Sequence, residues 1–177
     1  MIIVGNGSSI LDCENGEKID SFTEVVRFNN YAIRPLWTGT KTTHWWNTVD
    51  YKNKNHENLC KEYEECCIHS WDFKPTSKIW QTQKKIIRAK KVFKSEEKWI
   101  NELKSFSSQN YYPWSTGAIA IWHYLKTRDF VTITGFDWWD REKHHAFDNA
   151  PRGNLHNPKE EKILIDKLFK GGRIKFL

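Results

Sequence analysis

Short apolar runs alternate with longer apolar stretches along this chain. Residues 1–4, 25–28 and 130–135 are rich in β-branched and aromatic side chains, and a Gly or Asn closes each run. Runs of this length bounded by turn residues are typical of buried strands. Residues 117–126 are apolar and bear alanines, which predicts a buried helix. Strands that alternate with helices predict an α/β fold with a mostly parallel central sheet and helices on both faces.

The last part of the chain predicts a well-marked helix and a strand. Asn157 can cap the helix, Pro158 suits its first position, and Gly171 can end it. Residues 173–176 then predict a closing strand. We expect the buried stripe of this helix to comprise four apolar residues: Ile163, Leu164, Leu168 and Phe169.

The middle of the chain carries a weaker pattern. Residues 39–46 favour a turn that enters a third strand, and residues 52–66 favour an exposed helix. Two short strands are predicted at 67–71 and 78–81. Residues 84–106 place apolar positions among charges, which favours one or two amphipathic helices with a break near the centre of the segment.

Composition indicates one globular domain that spans residues 1–177. A hydrophobic content of 38% and an aromatic content of 15% are enough for a real core. No apolar run approaches the roughly 18 residues of a membrane span. The chain starts within a predicted strand and shows no signal peptide, so we expect a cytoplasmic protein. Its four cysteines lack a metal-site spacing, and we expect reduced thiols.

The net charge of +6 gathers in residues 84–98. Such a run is typical of a solvated helix face, and it is also compatible with an anionic partner. No nucleic-acid-binding motif accompanies it, so we expect no nucleic-acid partner. Peripheral contact with an anionic membrane stays open.

Residues 5–9 form a glycine-rich turn directly after the first predicted strand. Glycines let backbone N–H groups approach a ligand closely, and a helix start favours anions. Asn6 and Asn29 would both lie at carboxyl ends of strands, where open α/β sheets bind ligands. An ordinary βα turn remains the alternative, because Asn is also a common turn residue.

A second group of polar residues lies between residues 113 and 161. Residues 115–117 place two hydroxyls at a helix start, and His145 and His156 follow a predicted central strand. The pattern predicts a phosphate site beside an acid/base site. A structural histidine beside a helix start is the alternative for His156. We expect Glu161 to tether the helix rather than to act as a second catalyst.

Two further residue pairs follow that strand. Asp137 and Asp140 superficially resemble a metal-binding carboxylate pair, but the other donors of the phosphate site make a metal unnecessary, and we expect none. Trp138 and Trp139 could stack on an acceptor sugar or pack within the protein; the sequence leaves both open.

Four segments, in order, resemble the sialylmotifs of sialyltransferases. The large motif is matched by residues 4–9, 19–21, 25–29 and 39–44, the small motif by 115–136, the third motif by 144–145, and the His-x4-Glu spacing of the very small motif by His156 and Glu161. The resemblance covers residues 1–46 and 113–177. Residues 135–148 are also similar to bacterial sialyltransferases of the Campylobacter type, in which a tyrosine stands at the position of His145.

The resemblance implies a single Rossmann-like domain of the GT-A-variant type. It implies an inverting, metal-independent glycosyltransferase that uses no cofactor and moves sialic acid from CMP-sialic acid to a hydroxyl of a glycan or glycolipid. His156 would be the general base, and His145 would meet the departing phosphate. The residues implied to bind the nucleotide are Asn6, Gly7, Asn29, Ser115, Thr116, Gly117 and Gly135.

The chain departs from the animal enzymes in two ways. The cysteines that form a disulfide there, just before Val4 and within the small motif, are absent here, which fits a reducing compartment. Residues 47–112 match no motif, and we expect this variable segment to contribute to the acceptor side. The donor could also be CMP-Kdo or another CMP-activated 2-keto sugar acid. A degenerate module that binds CMP or a glycan without turnover is the second alternative.

Overall fold

A computed structural model gives the fold of the protein. It describes residues 1–48, 58, 61–70, 78–107, 113–138, 141, 145–146 and 156–177. His144, Trp139 and Asp140 lie outside the described residues.

Seven strands form one sheet, and every pairing between them is parallel. The order across the sheet is β5-β4-β3-β2-β1-β6-β7. The strands are β1 Ile2–Val4, β2 Val25–Phe28, β3 His44–Thr48, β4 Glu62–His69, β5 Arg88–Lys94, β6 Val131–Thr134 and β7 Ile174–Phe176. The predicted α/β class with a parallel sheet is confirmed.

Helices cover both faces of the sheet. The described helices are a short 3₁₀ helix Ser8–Leu11, α1 Gly16–Asp20, α2 Pro35–Thr38, α3 Lys78–Ile86, α4 Glu97–Lys104, α5 Thr116–Leu125 and α6 Pro158–Lys170. Successive strand residues point to opposite faces. Ile3 accordingly joins the core under α4, α5 and α6, whereas Ile2 and Val4 join the core beside the 3₁₀ helix and α1.

The central strand explains where a ligand site can form. The three residues of β1 are almost fully buried, with β2 on one side and β6 on the other. The chain runs outward from β1 in both directions, so the strand order reverses at β1. Open α/β sheets bind ligands at such a switch point.

Several predictions for the middle of the chain are wrong. Strand β4 covers part of the predicted helix at 52–66, and helix α3 replaces the strand predicted at 78–81. Strand β5 replaces the first half of the amphipathic helix predicted at 84–106, although α4 matches its second half. Strand β5 is an outer strand with mostly exposed or half-exposed side chains, so its charged sequence hides the alternation.

The buried stripe predicted for the last helix is partly wrong. Leu164 and Leu168 are buried, but Ile163 and Phe169 are 44% and 50% exposed. The carboxylates Glu160 and Glu161 are buried in their place. The inward face of the helix is therefore rotated toward α5, where Glu161 accepts hydrogen bonds from Ser115. The helix start is as predicted: the Asn157 side chain accepts hydrogen bonds from the N–H groups of the first turn.

Three cysteines are described, and each is a free thiol. Cys66 and Cys67 are buried on β4, and Cys13 is exposed. Burial raises the pKa of both Cys66 and Cys67, which keeps these thiols protonated and unreactive. Within the described ranges, no helix combines the length and apolar character that a bilayer crossing requires.

Candidate functional site

A cavity of about 200 Å³ opens at the carboxyl ends of β1, β2 and β6. The start of α5 and the segment that leads into α6 close its other side. All nine residues predicted for the site lie on its wall: Asn6, Gly7, Asn29, Ser115, Thr116, Gly117, Gly135, His145 and His156. The fold thus brings together residues that are more than a hundred positions apart in the chain.

The first wall is the glycine turn after β1. The Gly5 N–H donates to the Thr134 carbonyl and the Gly7 N–H to the Gly135 carbonyl, each at 2.8 Å. A Cβ atom on Gly5 would lie 2.2 Å from the Gly135 oxygen, and Gly135 itself has a φ of 69°. Only glycine permits this approach of two backbones, so the turns after β1 and β6 are fixed against each other.

Asn6 joins three loops around the cavity. Its Nδ2 donates to the carbonyls of Phe28 and Asn30, at 3.2 and 3.1 Å, and its own carbonyl accepts from the Ala146 N–H at 2.9 Å. The last bond holds His145 beside the turn. Because the amide N–H groups are used within the protein, a ligand would meet Asn6 through its Oδ1 acceptor.

Within the part of the chain that the structure describes, Asn29 has a free donor, whereas Asn6 has a free acceptor. Its backbone is left-handed, with a φ of 43°, which asparagine tolerates better than most residues. Its Oδ1 accepts from the Thr48 N–H at 2.6 Å, and its carbonyl accepts from Trp45 Nε1 and Asn58 Nδ2. A ligand would therefore meet Asn29 through its Nδ2 donor.

Asp137 is a site residue whose role the sequence did not reveal. Its carboxylate, only 3% exposed, accepts from the Ser9 N–H at 3.0 Å, from Ser8 Oγ at 3.3 Å and from Ser9 Oγ. It therefore braces the glycine turn. A local sequence pattern could not have paired Asp137 with Ser8 and Ser9, because these positions are far apart in the chain.

Within the described ranges, no group of three His, Cys, Asp or Glu residues is placed to hold a metal ion.

The second wall is the start of α5. Ser115 is its N-cap, and Ser115 Oγ accepts from the Ala118 N–H at 3.2 Å. Ser115 also donates twice to Glu161, from N to Oε1 at 2.6 Å and from Oγ to Oε2 at 2.7 Å. Burial raises the pKa of Glu161, although the bonds from Ser115 oppose this shift. Glu161 is thus a tether between α6 and α5, as predicted.

The donors that the second wall has available are backbone N–H groups. The Ser115 hydroxyl donates to Glu161 and accepts from Ala118, so its proton is already used. The N–H groups of Thr116 and Gly117 belong to the first helical turn, which has no intrahelical acceptors for them. Thr116 Oγ1 lies 2.5 Å from Thr48 Oγ1, so this hydroxyl pair is shared with β3. The helix start therefore offers backbone donors to an anion.

His156 lines the cavity beside the start of α5. Its Nδ1 lies 2.9 Å from the Pro113 carbonyl oxygen, which can only accept, so Nδ1 carries a proton. The neutral ring then has its lone pair on Nε2, which is the tautomer that a general base requires. His69 is fully buried, and burial lowers the pKa of His69 to about 4; a proton on the nearby His156 would add to this shift.

An aromatic side completes the cavity. Phe28 and Phe136 contact edge to face with their centroids 6.1 Å apart, and Trp138 lies 6.5 Å beyond Phe136. Trp138 also has a left-handed backbone, with a φ of 46°, which is uncommon for a bulky residue. Trp138 thus packs within the protein while it lines the cavity.

Solved structures share this fold. One is a mammalian sialyltransferase in complex with Gal-beta-1-3GalNAc-ortho-nitrophenol, with a TM-score of 0.73 and 22% identity over 99% of this chain and 68% of that chain. Another is the monofunctional alpha-2,3-sialyltransferase Cst-I from Campylobacter jejuni, with a TM-score of 0.65 and 15% identity over 99% of this chain and 74% of that chain.

The sialyltransferase CstII from Campylobacter jejuni, in complex with cytidine-5'-monophosphate, is similar at a TM-score of 0.62 and 16% identity, over 99% of this chain and 78% of that chain. No protein-family model and no curated protein sequence matches the chain. At these identities the likeness establishes the sialyltransferase fold.

Proposed function

We propose that the protein is an inverting glycosyltransferase that moves sialic acid from CMP-sialic acid to a glycan hydroxyl without a metal or other cofactor. One observation carries the proposal: an imidazole with Nε2 as its basic nitrogen shares a cavity with the anion-binding start of α5. Its fold neighbours include a sialyltransferase in complex with a trisaccharide acceptor and CMP, which supports the same chemistry here.

The nucleotide would lie across the glycine turn. The Oδ1 of Asn6 can accept from a hydroxyl or amino group, and the Nδ2 of Asn29 can donate to a carbonyl or hydroxyl oxygen. Cytidine offers both kinds of group. The two asparagines would thus fix the orientation of CMP, while the close-packed glycines leave room for it.

The phosphate would face the start of α5. When the bond between the sugar and the phosphate breaks, negative charge grows on CMP. Donors fixed beforehand at that oxygen stabilise the leaving group. The N–H groups of Thr116 and Gly117 supply two such donors, and a ring N–H of His145, held by the bond between Ala146 and Asn6, supplies a third.

His156 would activate the acceptor. The attacking hydroxyl must lose a proton as it bonds to the anomeric carbon, and Nε2 of a neutral imidazole can take it. Attack from the side opposite the departing CMP inverts the configuration at that carbon. The Pro113 carbonyl holds the ring in the correct tautomer and stabilises the imidazolium that forms.

The proposal is tested by titrating the protein with CMP and by measuring CMP release from CMP-sialic acid and from CMP-Kdo with a mixture of glycan acceptors. We expect His156→Ala to lower kcat by about 10²–10⁴-fold with unchanged CMP affinity. His145→Ala should lower turnover and weaken CMP binding.

Each other outcome has a distinct meaning. Turnover of CMP-Kdo alone would change the donor but keep the mechanism. CMP binding without turnover of either donor would indicate a degenerate binding module. A wild-type protein that binds no CMP would refute the proposal.

A further inference from the structure

Part of the basic run at residues 84–98 is neutralised in the folded protein. Three of its lysines form ion pairs with glutamates: Lys90 with Glu64 at 2.8 Å, Lys91 with Glu65 at 2.7 Å, and Lys98 with Glu96 at 2.6 Å. These ion pairs weaken the attraction of the three lysines for an anionic partner.

The opposite edge of the sheet combines exposed aromatic rings with positive charge. Phe169 on α6 and Phe176 on β7 are 50% and 49% exposed, and their ring centroids lie 5.2 Å apart. Phe130, just before β6, is 44% exposed, and the Lys175 ammonium lies 3.7 Å from its ring centroid. The two pairs lie on opposite faces of the sheet, because Lys175 and Phe176 are successive strand residues, and both border the outer edge at β7. Exposed apolar side chains along one edge mark interaction sites.

The charge of this edge is one-sided. Residues 166–177 contain four basic residues and one acidic residue, Asp166, and all five are exposed. Arg173 is fixed by hydrogen bonds to the carbonyls of Leu125, Arg128 and Asp129, and none of these contacts neutralises its charge. Arg173 therefore keeps its positive charge beside the lysines of this edge.

We propose that this surface binds the headgroup region of an anionic lipid bilayer. The β7 edge surface, as we call it, consists of Phe130, Phe169, Lys170, Lys175 and Phe176. Basic side chains attract anionic headgroups, while aromatic and aliphatic side chains insert at the boundary of the acyl chains. A purely electrostatic partner would not require the exposed rings, and a purely apolar one would not require the lysines.

The position of this surface gives the contact a consequence. Trp138 lines the cavity and lies 6.4 Å, centroid to centroid, from Phe176. A bilayer that contacts the β7 edge surface would thus lie near the cavity mouth, within reach of acceptors held in that bilayer. The binding itself does not depend on the proposed transfer reaction, because it needs no turnover.

Co-sedimentation with vesicles tests the inference. The whole chain should sediment with vesicles of equal parts phosphatidylcholine and phosphatidylserine, and not with phosphatidylcholine alone. Added salt should weaken the binding. Lys170→Gln together with Lys175→Gln should weaken it about 25-fold, about fivefold for each lysine. Phe169→Ser should weaken it without a change in charge.

The matched control is Lys90→Gln with Lys91→Gln, which removes the same charge from the opposite edge. This control should retain the binding of the wild-type chain. Phe169 is half exposed, so Phe169→Ser is expected to fold, and its melting temperature checks this. Leu36→Ser, at a position 49% exposed, is the control for loss of an exposed apolar side chain.

Three results would overturn the inference. The first is a wild-type chain that does not sediment with anionic vesicles. The second is an equal loss of binding in both lysine double variants, which would reveal an effect of net charge alone. The third is self-association that Phe169→Ser abolishes, without vesicle binding, which would assign the surface to a second copy of the chain.

Discussion

The two walls of the cavity are each held by one buried carboxylate, but they depend on it differently. Asp137 braces a glycine turn that backbone hydrogen bonds to β6 and Gly135 also fix. Glu161 holds the start of α5 through two bonds to Ser115. The glycine wall is therefore supported by backbone hydrogen bonds to the sheet, whereas the helical wall depends on a side chain from α6.

The largest expected effect of a single substitution is on the helical wall. Glu161→Ala removes both acceptors of Ser115 and leaves its part-buried N–H without a partner side chain, so we expect a loss of about 3 kcal/mol in the free energy of unfolding. Urea denaturation measures it. Glu161→Gln keeps one carbonyl oxygen for the Ser115 N–H and should lose less. If the alanine variant unfolds at the same urea concentration as the wild type, the tether contributes nothing.

Acid should destabilise the fold through two histidines outside the cavity wall. Burial lowers the pKa of His69, at the end of β4, and of His123, on α5, to about 4 in each case. The unfolded chain binds protons below about pH 6.5, but the folded chain resists them, so stability is complete above that pH and falls as the pH drops toward 4. At about pH 5 each histidine should cost about 2 kcal/mol.

Urea denaturation at neutral and acid pH measures this dependence. His123→Gln should remove about half of it, because glutamine does not titrate. A stability that stays constant between about pH 7 and 5 would contradict the low pKa values.

The cap of α5 ranks third. Ser115→Ala removes the acceptor of the Ala118 N–H and one of the two donors to Glu161, so we expect a loss of about 1.5 kcal/mol. Thermal unfolding measures the loss, and Ser115→Thr, which keeps a capping hydroxyl, is the control. Because the phosphate donors assigned above are backbone N–H groups, we expect Ser115→Ala to retain CMP binding. A complete loss of CMP binding in a folded variant would make the hydroxyl a direct ligand instead.

The smallest effect on stability belongs to the glycine wall. Asp137→Asn keeps one oxygen for the Ser9 N–H, and the serine hydroxyls can rotate toward the new amide, so we expect a loss of about 0.5 kcal/mol. The donor KM should rise more than kcat falls, because the turn would bind the nucleotide less tightly. Steady-state kinetics separate the two. A change larger than that of Glu161→Gln would reverse the ranking of the walls.

Local signals were sufficient for one part of the site. The strand before residues 5–9, the asparagine after β2 and the cap of the last helix were all predicted, because each depends on residues that are neighbours in the chain. The alternation in β4 was present as well: buried Tyr63 lies between exposed Glu62 and Glu64. Charged residues dominate that stretch and hide the alternation, so the sequence favours a helix there.

By itself, the sequence determined the α/β class, the positions of the central strands and the glycine-rich turn after β1, because burial and turn chemistry depend on residues that are neighbours in the chain. Tertiary structure alone decided how the walls are held. Which serine a carboxylate binds, which nitrogen of His156 is protonated and which lysines remain unpaired depend on groups brought together from distant segments. No periodicity records such pairings, because they arise only when the sheet and its helices pack.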